Sequence, residues 1–390
     1  MSEDVPRRPI NPLDFFAITA ELTDEEHALR DRVRAWVDAE VVPVIDQHAE
    51  DATFPAALVP RMAALGVFRP TMQGYGCPGI SPVAHGLICQ ELERGDSSLR
   101  TFVTVQGTLT MFAIHEYGSE AQKAYWLHRL LAGEAIGCFA MTEPGAGSDP
   151  AGMIARAVKV GDAHELTGTK TWITNGSIAD VAVVWARDDG GEIQGYLVEK
   201  RAIRATDVTG SWCLRASVSS DMVFDRARAE ALPGARGLKT ALSCLSEARY
   251  DIAWGALGAA QHCFEIALDY AKNRKQFGHP IGAFQLVQEK LVNMINEITK
   301  GQLLALQLGH LKTRGTADFV QASLAKLNNT RIALDIARTA RDILGSQGMS
   351  SKFPIFRHMK NLEALITYNG TSDIHTLIVG RAITGLSAFA

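Results

Sequence analysis

Four short stretches concentrate side chains able to do chemistry. Cys138 to Pro150, CFAMTEPGAGSDP, holds Gly145 and Gly147, which let backbone N–H groups approach an anion, with the Thr142 and Ser148 hydroxyls as further donors beside Phe139 and Met141. No Gly-Lys-Ser/Thr follows, so it is not a P-loop, and it lacks the third glycine and strand–helix setting of a dinucleotide-binding turn. A glycine-rich surface loop explains the same residues. Lys170 to Ser177, KTWITNGS, sets the Trp172 indole beside Ile173, Thr174 and an amide. That group suits either a lid on a planar cofactor or a core tryptophan ahead of a turn. Arg274 to Gly278, RKQFG, brings two cations to a helix end, as a phosphate grip or as ordinary partners of the helix dipole. Leu92 to Arg100, LERGDSSLR, spaces Glu93 and Arg100 seven residues apart, on one face if the helix is unbroken. Arg100 is then a carboxylate clamp or a solvated charge.

A fifth stretch, Thr367 to His375 (TYNGTSDIH), is harder to place. Asn369 and Gly370 both tolerate positive φ and signal a hairpin, and Asn369-Gly370-Thr371 fits the glycosylation pattern. Yet helix-like apolar sequence flanks it on both sides.

The elements that must position these residues follow from pattern and composition. At 390 residues, the chain has room for two or three domains or one large composite fold. With 47% hydrophobic and 21% charged residues it reads as globular, and a net charge of -4 offers no general attraction to nucleic acid or an anionic membrane. Six scattered cysteines without a C-x-x-C pair predict a reduced, cytoplasmic setting. The N-terminus does not read as a secretory signal, and no window has the roughly 18 uninterrupted apolar residues of a membrane span. Eleven histidines without ligand-spaced partners point to no metal site.

Residues 22 to about 135 read as helices: one capped by Thr23 and ended by Pro43, then Ala56 to Leu65, Val83 to Arg94 and Ser119 to Ala132. After Cys138, VAVVWARD, IQGYLVEK and DMVFDRA predict strands of a small barrel or sandwich. Helical periodicity returns from about Leu242 in four long segments, with Leu286, Val287, Leu291, Met294, Ile295 and Ile298 as the buried face of one. The expected fold is α+β and mainly α: an N-terminal helical domain (1–137), a β domain (138–241) and a C-terminal helical bundle (242–390).

The order of MTEPGAGSD, GTKTWITN, RKQFG, ARDILGSQG and YNGTSDIHTLIVGRAITG resembles the acyl-CoA dehydrogenase family, its glutaryl-CoA dehydrogenase branch in particular, from about Leu22 to Phe389. The resemblance implies a central β-barrel and a four-helix bundle, a homotetramer, FAD shared between subunits, and electron-transfer flavoprotein as partner if the protein is redox active. It places Phe139, Met141, Thr142, Gly147 and Ser148 along the flavin, Trp172 on its ring, and Ile173 and Thr174 beside it. Arg274, Gln285, Asp342, Gly345 and Ser346 would reach its phosphates and adenosine from a neighbouring subunit, with Thr371 and Asp373 at the adenine–ribose end. The acyl-CoA would lie along Leu242, Leu245 and Arg249, near Ser148 and Gly370. Arg100, with Glu93, Thr101 and Thr104, would receive the distal carboxylate of a short dicarboxylic thioester, on CoA or on a carrier protein.

One departure stands out. The glutaryl branch carries its α-proton base as a Glu directly after the tail Tyr; here Tyr368 is followed by Asn369, and an amide cannot take that proton. The alternative family position, just before Arg249, is Ala248. Asp251 shares its helix face, where a small residue is expected, and is a replacement base or a solvent-facing or salt-bridged charge. Three readings follow: atypical chemistry such as decarboxylation, dehydrogenation with a rerouted base, or catalytically silent binding of FAD and acyl-CoA.

Overall fold

The computed structural model describes residues 10–68 and 71–388. Most of the N-terminal stretch read against a secretory signal, and Phe389 at the end of the resemblance, lie outside the described residues.

Helix α1 (Asp24–Trp36) starts as expected: the Thr23 hydroxyl accepts from the Glu26 N–H, and the Glu26 carboxylate accepts from the Thr23 N–H. Pro43 does not end it. Five residues of wider helical turn, Val37–Val41, lead into α2 (Val42–Asp51), and Pro43 sits in the first turn of α2, where its missing N–H costs nothing. After α3 (Val59–Leu65) comes a two-residue hairpin, β1 (Gln73–Gly74) and β2 (Cys77–Pro78). Helix α4 (Pro82–Gly95) stops at Asp96, whose extended backbone (φ −164°) makes it the N-cap of α5 (Ser97–Val103). The Glu93–Arg100 helix is therefore broken between the two residues. A second run of wider turns, Thr104–Met111, joins α5 to α6 (Phe112–Tyr117), and α7 (Glu120–Leu131) closes the helical region behind a Ser119–Gln122 capping box.

The β region is a closed barrel. It comprises β3 (Gly137–Ala140), β4 (Arg156–Val160), β5 (Ala163–Thr174), β6 (Val181–Arg187), β7 (Ile193–Glu199), β8 (Arg204–Asp207) and β9 (Ser219–Arg236). The order is β3-β6-β4-β5-β9-β7, β8 pairs with β9, and β6 also pairs with β7, which completes the ring. Leu166, Val184, Tyr196, Val198 and Phe224 fill the interior.

Helix α8 (Leu238–Asn273) begins four residues before Leu242, directly after Gly237. A short hairpin, β10 (Lys275–Gln276) and β11 (His279–Pro280), leads to α9 (Gln285–Thr313), α10 (Phe319–Ile343), α11 (Ile355–Leu365) and α12 (Ser372–Thr384). The last of the four expected segments is thus divided by the TYNGT turn. Helix α8 crosses α4 and α10, burying Ile252, Ala256, Ala259, Ala260 and Cys263. The buried face expected on α9 holds only in part: Met294 and Ile298 are buried, but Leu286, at the start of the helix, is 72% exposed among the described residues. No described helix is long and apolar enough to cross a membrane.

Candidate active site

Glu93 and Arg100 meet across the α4–α5 break, with both side chains fully buried. Arg100 Nε donates to Glu93 Oε2 at 2.6 Å, Nη2 to the Tyr368 hydroxyl at 2.6 Å and Nη1 to Thr104 Oγ1 at 3.4 Å. The Thr101 hydroxyl shares a hydrogen bond with Tyr368 Oη at 3.2 Å, and Ser97 donates to Glu93 Oε1. Burial disfavours the Arg100 charge, but Glu93 and Tyr368 more than offset it and raise its pKa. Burial raises the Glu93 pKa, with Arg100 pulling the other way. The ion-pair form fits the geometry, since arginine keeps its proton and Glu93 accepts from two directed donors. Arg100 is thus a buried, paired charge rather than a solvated one.

Asn369 sits in the turn between α11 and α12 in the left-handed region (φ 56°), followed by Gly370 at φ 93°. Both conformations suit the residue types, but the turn joins helices instead of forming a hairpin. Buried Lys326 on α10 donates to the Tyr368 and Gly370 carbonyls at 2.5 and 2.6 Å. Arg249 donates to the Asn369 carbonyl and to Ser323 Oγ, each at 3.3 Å. Burial lowers the Arg249 pKa to about 10, and burial with Arg249 and Arg100 nearby lowers that of Lys326. No described residue forms a hydrogen bond with the Asn369 side-chain amide, and nothing at 369 neutralises these cations.

Asp251 is not solvent-facing. It is buried between His85, whose Nε2 lies 2.8 Å from Oδ1, and Thr104, whose hydroxyl donates to Oδ2 at 2.9 Å. Burial alone would raise its pKa, yet the His85 ring and these hydrogen bonds hold the carboxyl below the ordinary Asp value. Cys89 Sγ is 3.8 Å from the same nitrogen. The ligand-type atoms of His85, Cys89 and Asp251 lie within 4.8 Å of one another, a grouping that the histidine spacing did not reveal. His85 and Cys89 stand four apart on one helix face and could have been paired from the sequence; Asp251 enters from another helix.

The two barrel motifs also converge. Lys170 donates to the Met141 carbonyl at 2.9 Å and to Glu143 at 2.8 Å, and the Thr171 N–H donates to the Thr142 carbonyl. A register shift in β5 between Lys170 and Ile173 coincides with a left-handed Trp172 (φ 58°), which leaves the indole 58% exposed instead of in the core. Ile173 is buried and Thr174 half-buried. Phe139 and Met141 are buried, while Gly147 and Ser148 are exposed, and a Cβ at Gly145 or Gly147 would meet nothing within 4 Å. An open indole above a loop with free space suits a large planar ligand. Elsewhere Arg274, Gly345 and Ser346 line a cavity of about 530 Å³ with Tyr270, Lys352 and Phe353. Arg274 stands past the end of α8, at the foot of the β10–β11 hairpin. Asp342 pairs with Lys290, Gln285 opens α9, and Thr371 caps α12 just before Asp373. On the first turns of α8, Leu242 is exposed and Leu245 half-buried. No described contact joins the Arg274 group to the Arg100 or Trp172 groups.

Three segments match family domains in series: residues 23–134 the acyl-CoA dehydrogenase N-terminal domain, 138–227 the middle domain and 235–384 the C-terminal domain. The chain is also 32% identical to the mitochondrial short-chain specific acyl-CoA dehydrogenase of Homo sapiens over 375 residues, covering 93% of this chain and 90% of that one. This chain belongs to the acyl-CoA dehydrogenase family. Among solved structures of the family, it resembles a glutaryl-CoA dehydrogenase from Mycobacterium smegmatis at 50% identity (TM-score 0.96, covering 98% of this chain and 100% of that one). A glutaryl-CoA dehydrogenase from the same organism in complex with FADH2 is 46% identical, with the same TM-score and coverage.

Proposed function

We propose that the protein is an FAD-dependent enzyme acting on a short dicarboxylic acyl thioester, glutaryl-like in length, and that it remodels the carboxyl-bearing end instead of starting by α-proton removal. The buried Arg100, held by Glu93 and Tyr368 one residue before an amide, carries this reading. Glu93 already supplies the guanidinium's anionic partner, and a distal carboxylate of the substrate would join them as a second anion beside Arg100. Glu93 already offsets part of the Arg100 charge, so departure of a substrate carboxylate as CO2 relieves repulsion beside Glu93. The resemblance to glutaryl-CoA dehydrogenases supports the substrate length, and Arg249 favours CoA over a carrier protein.

FAD, when bound, supplies a planar ring system able to accept hydride. The residues present fit it: Thr142, Ser148, Trp172 and Thr174 would hold the ring side, and Arg274, Gln285, Gly345 and Ser346 the nucleotide of a neighbouring copy. Such sharing needs at least two copies; we take the assembly to be the homotetramer that the resemblance implies, with electron-transfer flavoprotein as the partner if electrons leave.

For an α,β-unsaturated dicarboxylyl thioester the chemistry closes without redox change. The bond to the carboxylate breaks, CO2 leaves, the electron pair spreads towards the thioester carbonyl, and a proton replaces the carboxyl. One observation favours a second reading, dehydrogenation with Asp251 as base: its carboxylate binds the same Thr104 hydroxyl that Arg100 touches. Anaerobic mixing with glutaryl-CoA and glutaconyl-CoA separates the two, using flavin absorbance and product mass. We expect CO2 loss from glutaconyl-CoA with the flavin still oxidised. Bleaching by glutaryl-CoA with an enoyl product would instead establish dehydrogenation, and spectral perturbation without turnover a binding protein.

A further inference from the structure

Three consecutive backbone carbonyls in the turn between α11 and α12 are held by side chains from two other helices. Lys326 Nζ, on α10, donates to the Tyr368 carbonyl at 2.5 Å and to the Gly370 carbonyl at 2.6 Å, while Arg249 Nε, on α8, donates to the Asn369 carbonyl between them at 3.3 Å. The positive φ of Asn369 and Gly370 turns the two outer carbonyls to one side, where a single amine reaches both. Lys326 is buried, and its Nζ stands 5.9 Å from the centre of the Tyr368 ring. An amine keeps at least two N–H groups in either protonation state, so both bonds stand although burial, with Arg249 and Arg100 nearby, lowers its pKa.

One side chain carries this turn to the Arg100 end of the pocket. The Tyr368 hydroxyl accepts from Arg100 Nη2 at 2.6 Å and shares a hydrogen bond with Thr101 Oγ1 at 3.2 Å. It thus provides one of the three hydrogen bonds that orient the guanidinium, the others going to Glu93 and Thr104. The Tyr368 N–H is committed to the Ala364 carbonyl in the last turn of α11, and on the carbonyl side Lys326 supplies the tie. The aim of Tyr368 therefore depends on an amine 42 positions earlier in the chain.

We propose that Lys326 is a positioning residue that sets the preference for dicarboxylyl over monocarboxylyl thioesters, by fixing the 368–370 backbone so that the Tyr368 hydroxyl meets Arg100. The inference rests on the dicarboxylyl-thioester reading. An apolar side chain at 326 would fill the same volume but leave two buried carbonyls unpaired, and the turn would relax towards other donors. Tyr368 moves with it. Arg100 then loses the bond on Nη2 and closes on Glu93 with a second N–H, which takes that donor away from a substrate carboxylate. Arg249 does not replace Lys326 in this role, because it grips only the middle carbonyl, at a longer distance, and divides its donors with Ser323.

The test is a double-mutant cycle on flavin-loaded wild type, Lys326→Met, Tyr368→Phe and the double variant. Each is titrated anaerobically with glutaryl-CoA and with pentanoyl-CoA, which has the same acyl length but no carboxylate, and affinities are read from the flavin spectrum. We expect wild type to prefer glutaryl-CoA. Lys326→Met should lose roughly tenfold of that preference, bind pentanoyl-CoA within about threefold of wild type, and cause no further loss when added to Tyr368→Phe. A lysine that only stabilises the fold would weaken both ligands alike, so an unchanged ratio in Lys326→Met overturns the proposal. An equal loss of ratio with and without the Tyr368 hydroxyl overturns it too, since the effect would not pass through Tyr368. If Lys326→Met does not hold flavin, Lys326→Gln, which keeps N–H donors on a shorter side chain, takes its place under the same criteria with a loss of roughly threefold. No preference for glutaryl-CoA in wild type overturns the dicarboxylyl reading and the role of Lys326 together.

Discussion

An asparagine at 369 suits the backbone better than a carboxylate would, since Asn enters the left-handed region at less cost than Glu. Electrostatics point the other way: Arg249 and Lys326 surround the turn with positive charge, and their hydrogen-bond acceptors among the described residues are neutral, the carbonyls of the turn and Ser323 Oγ. Restoring a carboxylate tests which pressure governs function. Asn369→Glu is expected to lose about 1 kcal/mol of stability. It should increase the rate of flavin reduction by glutaryl-CoA by roughly 10²-fold, measured by stopped-flow absorbance under anaerobic conditions. An unchanged rate would mean that residue 369 does not face the thioester. The Glu93–Arg100 pair was legible because an arginine and a glutamate seven residues apart suggest one; its complete burial was not legible. His85 and Asp251 were beyond reach, being 166 positions apart and joined only when α4 meets α8.

That crossing is set by small residues. A Cβ at Gly258 would stand 1.8 Å from the Gln90 carbonyl, and one at Gly255 would stand 2.1 Å from Glu93 Oε2 and 2.9 Å from Arg100 Nε. Backbone closeness at α8 therefore makes room for the ion pair. Gly255→Ala is expected to destabilise the protein by about 1–3 kcal/mol through overpacking. It should also weaken the preference for dicarboxylyl over monocarboxylyl thioesters, read as a ratio of flavin-perturbation affinities; an unaltered ratio would separate Glu93 from substrate choice. Helix caps such as Thr23 and Ser119 lie within four residues of their partners and could be read directly. The end of α4 was legible as well, since its helical pattern stops at Arg94, but the restart at Asp96 was not, because an Asp serves equally as an interior residue or as a new N-cap until tertiary packing selects. The bulge that turns Trp172 outward depends on pairing with β9, which sequence alternation does not encode.

In the first turn of α12, buried His375 lies beneath the 369–370 turn, and burial, then Lys326 and Arg249, push its pKa down to about 3. His262, beside His358, is likewise pushed down to about 4, mainly by burial. An unfolded histidine titrates near about 6.5, so between that value and the folded one the unfolded chain binds more protons. Stability is therefore fully present above about pH 6.5 and is lost progressively as pH falls towards 4. Urea midpoints measured from pH 7.5 to 4.5 should show this slope, and His375→Gln should flatten it without abolishing it, since His262 remains.

At the scale of the whole molecule, several large apolar side chains are left exposed among the described residues. Phe277, at the tip of the β10–β11 hairpin, is 92% exposed, and Leu286 and Trp172 add to the open apolar surface. Fully burying such a side chain is worth about 1.5–3 kcal/mol, so a few per chain can hold subunits together once repeated by symmetry. Phe277 follows Arg274 and Gln276, which line the cavity assigned to the nucleotide. Assembly and flavin retention should then be coupled. Light scattering is expected to give a mass near four times the 42.2 kDa chain. A Phe277→Ser, Leu286→Ser double variant should shift towards smaller species and lose flavin on gel filtration together. A monomer that keeps its full flavin complement would show that one chain suffices for the cofactor, and would refute its sharing between copies.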